Sequence, residues 1–433
     1  MRSDQGGSQP TRVRYLLLGV ATANAFLLYL DRICMGAVVQ SAGFLQEFAM
    51  DKDKVGNVLA SFFLAYALGQ MPAGWLADRF GPRRMLAIYV LLWSLCTALT
   101  GAVSGLMALV FVRFACGLAE AGAYPASARL ITRWFPFEQR ARANSVVAFG
   151  GRIGGALALW LTAWAIVALG SWRHVLWIYG GLGLVLAAAT KFVFRDSPAL
   201  HPWTNAAERK LISPETAPPP KMAHRFPWRA LLAHRGLWLL SLGGLGMNLG
   251  WAFLITWLPT YLHEVRGLDE VAAGRYSSFC LSCGIAGVLF GGWWCDFLTR
   301  RFGSRWGRRL PFLIGSSVAM LAYLLCPMLP TATAVGIAFG IVAFATDSMA
   351  PAVWALGQDI GRNHVATTIA WSNMWGNLGA VAVAKIIPPL LRGPLHRPDW
   401  SEVFVLCAGG FLLLGTALLF VDSTVTLDEE SLR

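Results

Sequence analysis

The stretch VFVLCAGGFLLLGTALLFV, residues 403–421, contains no charged side chain and is long enough to cross a membrane as one helix. A helix needs about twenty apolar residues to span the roughly 30 Å hydrocarbon core of a bilayer. Runs of the same kind occupy residues 90–110 and 310–329. One water-soluble core has no room for several such runs, so the sequence predicts an integral membrane protein.

The composition points the same way. Of the 433 residues, 56% are hydrophobic and only 14% are charged, whereas a soluble chain carries about a quarter charged residues. This balance argues against a soluble enzyme. The sequence also shows neither a nucleophile–base pair nor a cluster of metal ligands, so we predict no enzymatic activity, no cofactor and no metal site.

Twelve segments have the length and apolar character of membrane-spanning helices. They lie near residues 15–38, 55–77, 85–104, 107–131, 143–169, 172–194, 236–262, 272–298, 310–329, 332–356, 364–390 and 403–421.

The basic residues are distributed unevenly between these segments, within a net charge of +13. With a cytoplasmic N-terminus, 25 of the 36 Lys and Arg residues fall on the cytoplasmic side, 7 on the external side and 4 within helices. Positively charged loops remain inside the cell during insertion. We therefore expect both termini in the cytoplasm and a location in the cell (inner) membrane, and we interpret the charge as a topology signal rather than a nucleic-acid site.

A polar, proline-rich interruption divides the predicted helices six and six. It covers about residues 196–235 and contains the proline run 218–220, a composition typical of a linker. The predicted organisation is an N-terminal six-helix bundle at 1–195, a cytoplasmic linker at 196–235 and a C-terminal six-helix bundle at 236–433.

The two halves also contain a repeated motif. GWLAD at residues 74–78 recurs as GWWCD at 292–296, and the basic pair at 83–84 recurs at 308–309. Two homologous halves are typical of transporters that bind substrate near the membrane midplane, at the interface of the repeats. The fold class predicted is thus an all-α membrane protein with twelve transmembrane helices in two pseudo-symmetric six-helix bundles.

The stretch GWLADRFGPRR at residues 74–84 resembles the signature loop of the major facilitator superfamily. In that family the loop holds the cytoplasmic side shut. The resemblance assigns this gating role to the matching positions Gly74, Asp78, Arg79, Gly81 and Arg84. A simple ion pair at the helix end is the alternative for Asp78, and the second copy departs from the pattern because Phe297 follows Asp296.

Five further motifs are similar to those of the anion:cation symporters, the branch that includes galactonate and hexuronate permeases and sialin. They are YLDR at 29–32, RFACGLAEAGAYP at 113–125, WFPFEQR at 134–140, TWLPTYL at 256–262 and NMWGNLG at 373–379. The resemblance implies a transporter of organic anions, with proton coupling at Asp31 and Glu120.

Few ionisable groups lie inside the predicted helices, and each is costly in hydrocarbon unless it faces a cavity or a partner. Arg32 and Arg113 are candidate ligands for the substrate anion, since a guanidinium donates two parallel hydrogen bonds and stays charged. Arg113 and Glu120 lie seven residues apart, about 10 Å along an ideal helix, so each is expected to meet a group from elsewhere. A fixed internal salt-bridge network is the alternative for all four motif residues.

Arg152 stands where many family members have an uncharged polar residue. It is expected to recognise a second anionic or strongly polar group on the substrate, or else to neutralise Asp347; the roles of Asp347 and Lys385 are left open. Tyr29, Trp354 and Asn373 complete the predicted substrate-binding set, although tryptophan is also common at bilayer interfaces.

Helix five carries two interleaved glycine pairs, Gly150/Gly154 and Gly151/Gly155, which favour either static tight packing or a sliding interface.

Together these features predict a secondary active transporter, a monomer that couples protons to the symport of a small organic anion such as a sugar acid. An exporter or exchanger of an amphipathic, lipid-like anion is one alternative. A non-transporting membrane sensor on the same fold is the other, since fold does not dictate function.

Overall fold

The computed structural model describes residues 9–48, 52–212, 226–391 and 400–427, and in these ranges it contains sixteen α-helices and no β-strand. The helices are α1 (Val13–Val38), α2 (Ala42–Glu47), α3 (Lys52–Phe80), α4 (Pro82–Thr100), α5 (Leu106–Glu120), α6 (Ala123–Trp134), α7 (Arg140–Leu169), α8 (Trp172–Val193), α9 (Ala206–Ile212), α10 (Trp228–Ala233), α11 (Arg235–Thr256), α12 (Leu258–Arg266), α13 (Glu270–Leu325), α14 (Ala332–Gly361), α15 (Val365–Leu391) and α16 (Trp400–Leu419).

Within the described ranges, nine helical stretches are long and apolar enough to cross a membrane. Two of them, Ala272–Met328 and Ala332–Leu391, each contain two of the predicted segments. The predicted segment 55–77 lies in α3, which is not one of the nine. The predicted segments thus fall in helices, while the count of twelve spanning helices stays a prediction.

Two predicted spanning segments are broken in the middle. The segment 107–131 divides into α5 and α6 at residues 121–122, where the ring of Tyr89 occupies the space that a side chain at Gly122 would need. The segment 236–262 divides at Trp257, two residues before Pro259. Proline lacks the N–H that an uninterrupted helix requires, so the break follows from the sequence.

The chain separates into two compact units. The first comprises Met1–Phe226 together with Asn363–Thr367, and the second comprises Pro227–Arg362 and Thr368–Arg433. The predicted linker 196–235 includes α9 in the first unit and α10 in the second. Its proline run at 218–220 lies outside the described residues, and the predicted domain borders remain predictions.

Glycines allow close helix packing within each unit. A Cβ atom at Gly150 or Gly154 of α7 would meet the main-chain carbonyl of Thr22 or Phe26 on α1. In the second unit, Gly287 of α13 abuts the carbonyl of Phe344 on α14 in the same way. Helix backbones approach this closely only where side chains are absent. The contact favours the tight-packing interpretation for the pair Gly150/Gly154.

The repeated motif produces the same backbone feature in both units. Gly81 ends the turn between α3 and α4 with φ +90°, and Gly303 bends α13 with φ +74°. Non-glycine residues rarely adopt positive φ because the Cβ atom clashes with the backbone. These glycines therefore mark the corresponding turn in each half of the chain.

Candidate functional site

Arg32 and Glu120 form the centre of the site in the first unit. Arg32, on α1, donates from Nε and Nη2 to one carboxylate oxygen of Glu120 on α5, at 3.0 and 2.9 Å. The guanidinium carbon lies 4.3 Å from the ring centroid of Tyr66 and 5.2 Å from that of Tyr29, and such aromatic faces stabilise a poorly hydrated cation. The structure joins a predicted anion ligand and a predicted proton carrier in one buried ion pair.

Arg113 lies near this pair but is not bonded to Glu120. The sulfur of Cys116 stands between them, 3.9 Å from Nη1 of Arg113 and 3.9 Å from Oε1 of Glu120. The guanidinium carbon lies 4.6 Å from the ring centroid of Phe62, and the Nε atom is buried without a hydrogen-bond partner. Arg113 is only 2% exposed. Arg113 thus keeps an unpaired Nε donor for an incoming acceptor.

Asp31 is a buried carboxylate that forms no salt bridge with any described residue. Thr97 of α4 donates to its Oδ2 atom at 3.3 Å, and its Oδ1 atom has no hydrogen-bond partner. The adjacent Arg32 points to Glu120 instead, as expected for neighbours about 100° apart around a helix. An ionised carboxylate in this position is costly, so Asp31 is suited to hold a proton.

Tyr29 and Tyr124 flank the ion pair, with ring centroids 6.1 Å apart in an edge-to-face arrangement. A side chain at Gly151 of α7 would collide with both tyrosines. The neighbouring Arg152 is half-buried on the same helix. Gly151 therefore leaves room on α7 for these rings beside the ion pair.

Asp347 and Lys385, the other two charged residues singled out from the sequence, lie in the second unit. Asp347 of α14 is 4% exposed, and Gly284 of α13 leaves the space that its carboxylate occupies. Lys385 of α15 is exposed and forms no ion pair with any residue in the described ranges.

Trp354 and Asn373, predicted substrate ligands from α14 and α15, line one cavity within the second unit. The cavity has a volume of about 100 Å³. Asn248 of α11 and Ser372 of α15 also line it, and neither was predicted from the sequence. The structure thus brings two predicted residues together and adds two polar neighbours.

Asp78, the predicted gating carboxylate, is fully buried in the first unit. It lies 3.4 Å from Nε of Arg129 and accepts hydrogen bonds from the backbone N–H groups of Ala366 and Thr367, at 3.1 and 2.8 Å. The hydroxyl of Thr367 donates to it as well. Asp78 therefore binds the first turn of α15, where the helix dipole favours a negative charge. This is more than the simple ion pair that was its alternative.

The other predicted gating residues lie apart from this network. Arg79 and Arg84 are exposed, whereas Gly74 and Gly81 are buried. A Cβ atom at Gly81 would come within 2.9 Å of the carboxylate of Asp196. Glycine at this position therefore allows the positive φ of the turn and leaves room for the Asp196 carboxylate.

The second copy of the motif holds a buried ion network of its own. Arg308 lies 3.8 Å from Asp296 and donates to Asp359 at 2.9 Å. The repeated acidic residue thus keeps a cationic partner inside the second unit, although Phe297 replaces the basic residue of the first copy.

The sequence analysis did not identify several residues that contact the predicted set, among them Tyr124, Cys116, Tyr66 and Arg129. Tyr124 is part of the motif at 113–125, and Cys116 lies one helical turn from Glu120, so both were within reach of a spacing argument. Tyr66 and Arg129 come from other helices, and only the folded chain shows their contacts with Arg32 and Asp78.

Comparisons with known proteins agree with this architecture. A probable sulfoacetate transporter of Cupriavidus necator is 29% identical, over 97% of this chain and 96% of its own length. A D-galactonate transporter of Escherichia coli is 30% identical, over 94% and 96%. The structure of a proton:xylose symporter superposes with a TM-score of 0.71 at 15% identity, covering 97% of this chain and 98% of that one. The family description "Major Facilitator Superfamily" matches residues 21–384. The chain therefore belongs to the Major Facilitator Superfamily and is a multi-pass membrane transporter.

Proposed function

We propose that the protein is a proton-coupled symporter that imports a small organic anion by alternating access. The observation that carries the proposal is the bond between Arg32 and Glu120, at 3.0 and 2.9 Å. Arg32 is the candidate ligand for the substrate's anionic group, and Glu120 is the candidate proton carrier. Because the two residues are bonded directly, binding of the substrate anion to Arg32 depends on whether Glu120 is charged.

Competition for Arg32 provides the coupling. While Glu120 is ionised, its carboxylate occupies the donors that a substrate carboxylate would need, and two adjacent anions repel each other. A proton on Glu120 removes the competing charge and frees Arg32 for a charge-assisted bond to the substrate. A proton and a monoanion then enter together without adding net charge to a desolvated site.

Arg113 and Asp31 extend this scheme. Arg113 is 2% exposed and its Nε atom has no hydrogen-bond partner, so it can donate to a second oxygen of the anion. Asp31 forms no salt bridge with any described residue and is the second proton carrier. We place both in the coupled set together with Arg32 and Glu120.

Arg152 sets the charge of the preferred substrate. The relatives include transporters named for sulfoacetate, which has two anionic groups, and for D-galactonate, which has one. One more cation on α7 suits a substrate with a second anionic group. The competing account, in which Arg152 only neutralises Asp347, predicts a folding defect rather than altered selectivity when Arg152 is replaced.

Uptake into proteoliposomes tests the proposal. The purified protein is given labelled D-galactonate, galactarate or sulfoacetate, with and without an acidic exterior. We expect at least one acid to accumulate above equilibrium only with the pH gradient, and a protonophore to abolish the accumulation. Uptake that equilibrates equally well without the gradient would replace symport by uniport or exchange.

The same panel separates the two accounts of Arg152. If Arg152 contacts substrate, Arg152→Gln lowers uptake of galactarate and sulfoacetate more than uptake of D-galactonate. If it is structural, Arg152→Gln reduces the yield of folded protein, Asp347→Asn restores it, and the ranking of the acids stays the same.

A further inference from the structure

The two oxygens of the Glu120 carboxylate have different surroundings. Arg32 directs both of its bonds to Oε2, at 3.0 and 2.9 Å. Oε1 faces the thiol of Cys116, which lies 3.9 Å away and one helical turn earlier on α5. A proton that reaches the ion pair binds to Oε1, because Oε2 already accepts from two donors. Cys116 thus lies beside the oxygen that takes the proton.

Arg113 fixes the direction of this thiol. Its Nη1 atom, three residues earlier on the same helix, lies 3.9 Å from the sulfur. A guanidinium only donates, so the sulfur accepts on that side and its own hydrogen points elsewhere. Oε1 of Glu120 is an acceptor at the same distance. The thiol is therefore a donor to Oε1 as long as Glu120 is ionised.

Burial gives this weak contact its weight. Cys116 has no exposed surface, and Glu120 is 1% exposed. Away from water, a hydrogen bond to a charged group is electrostatically stronger. The other titratable groups around Glu120 and its partner Arg32 are Tyr29, Asp31 and Cys34 from α1, Tyr66 from α3, Cys96 from α4 and Tyr124 from α6. Of all these groups, Cys116 is the one that donates to Oε1.

We propose that Cys116 is a positioning residue that sets the pH at which the substrate anion is released. This proposal rests on the proposed function, in which a proton on Glu120 frees Arg32 for the anion. A hydrogen bond to the charged form of a carboxyl group favours that form. The Cys116 thiol, held in place by Arg113, therefore promotes the loss of the proton from Glu120 and with it the release of the anion.

The pH profile of apparent affinity tests this role. It is measured in counterflow exchange, with whichever of labelled D-galactonate, galactarate and sulfoacetate the parent protein accumulates. Cys116→Ala removes the donor, so Glu120 should keep its proton, and the protein its substrate, up to a higher pH. We expect the midpoint of the profile to rise by about 0.5 to 1 pH unit, the three- to tenfold effect of one weak hydrogen bond.

Further variants separate the donor from the volume of the side chain. Cys116→Val fills the space of the sulfur without a donor, and it should raise the midpoint as Cys116→Ala does. Cys116→Ser keeps a donor and should not raise it. Added to Glu120→Gln, Cys116→Ala should leave the pH profile as it is in Glu120→Gln alone, because no ionised carboxylate is left for the thiol to stabilise.

Cys407→Ala is the matched control. Cys407 is equally buried, and its sulfur lies 3.9 Å from the main-chain carbonyl of Leu249 in the second unit, so its removal should not move the midpoint. An unchanged midpoint in Cys116→Ala and Cys116→Val, or an equal rise in Cys407→Ala, would overturn the role of Cys116 and leave the proposed function intact. If the parent protein accumulates no acid under a pH gradient, the proposed function fails, and the role of Cys116 fails with it.

Discussion

At the residue scale, the two arginines of the site differ in what they hold before substrate arrives. Arg32 is bonded to Glu120, whereas Arg113 has the Cys116 sulfur as its polar contact and lies over the Phe62 ring. The bond to Glu120 is lost when Glu120 is protonated, while Arg113 is available throughout. We therefore expect the two arginines to respond differently to substitution.

Lysine substitution at each position tests this difference, because lysine keeps the charge but loses the planar fork. Arg113→Lys should weaken substrate binding about ten- to a hundredfold, the effect of one charge-assisted hydrogen bond of roughly 1.5–3 kcal/mol. Arg32→Lys should weaken binding similarly and also disturb the pH dependence, since its partner is Glu120. The measurements are apparent affinity in counterflow exchange and its pH profile. Normal affinity in both folded variants would show that these arginines have a structural role and do not bind the substrate anion.

Glu120→Gln separates coupling from binding. A permanently neutral side chain mimics the protonated state and leaves Arg32 available, so binding and counterflow exchange should persist. Accumulation driven by the pH gradient should be lost, because no proton is carried at this position. Uptake of labelled acid with and without the gradient is the measurement, and Glu138→Gln, outside the site, is the control. Normal accumulation by Glu120→Gln would remove the proton role from this residue.

The chain's pattern predicted the charged residues of the site better than their neighbours. Arg32, Arg113 and Glu120 stand out in sequence because charges are rare in apolar helices. Ser372 does not stand out, because a serine in an apolar helix usually bonds to its own backbone. Only the fold shows that its hydroxyl is buried without a hydrogen-bond partner and that the residue lines a cavity.

At the scale of elements, the length of each apolar run predicted where the helices lie. It did not predict where a helix breaks or where two predicted segments form one continuous helix. The turn at Gly303 was predicted as a loop between two segments, yet helical structure continues on both sides of that single residue. The break at Trp257 follows from Pro259, whereas the break at Gly122 accompanies the ring of Tyr89 from another helix. Breaks caused by a residue's own chemistry are therefore predictable, and those that involve a distant side chain are not.

The packing of α1 on α7 makes a prediction about stability. In Gly154→Ala the new methyl group would meet the main-chain carbonyl of Phe26, which cannot move aside as a flexible side chain would. We expect a loss of roughly 1–3 kcal/mol, the usual cost of overpacking. Thermal unfolding of the purified protein is the measurement. Gly181→Ala on α8 is the control, because no atom lies within 4 Å of the added methyl group, and it should be neutral or stabilising.

An unchanged melting temperature in Gly154→Ala would show that α1 and α7 can separate at little cost, in favour of a sliding interface. A large loss would support the interpretation that α1 and α7 move as one body. In that case Tyr29 of α1 and Arg152 of α7 also move together.

At the scale of the whole molecule, the chain separates into two compact units, and each contains one copy of the repeated motif and one of the positive-φ glycines Gly81 and Gly303. The homology of the two halves stays a prediction. The sequence did not predict that residues 363–367 belong to the first unit. Those residues include Ala366 and Thr367, which bind Asp78 through backbone N–H groups. Backbone donors have no sequence signature, so only the folded chain shows this contact.

The distribution of Lys and Arg, 25 on one side of the membrane and 7 on the other, predicts that the side with 25 faces the cytoplasm. Lys210 of α9 and Glu264 of α12 are exposed and fall on opposite sides in the predicted topology. In intact cells, Lys210→Cys should react only with membrane-permeant thiol reagents, whereas Glu264→Cys should also react with impermeant ones. The eight native cysteines, six of them buried, give the background, which is measured in the parent chain. The reverse pattern would place the termini outside. Net symport would still run inward, because the proton gradient and not the orientation of the protein sets its direction.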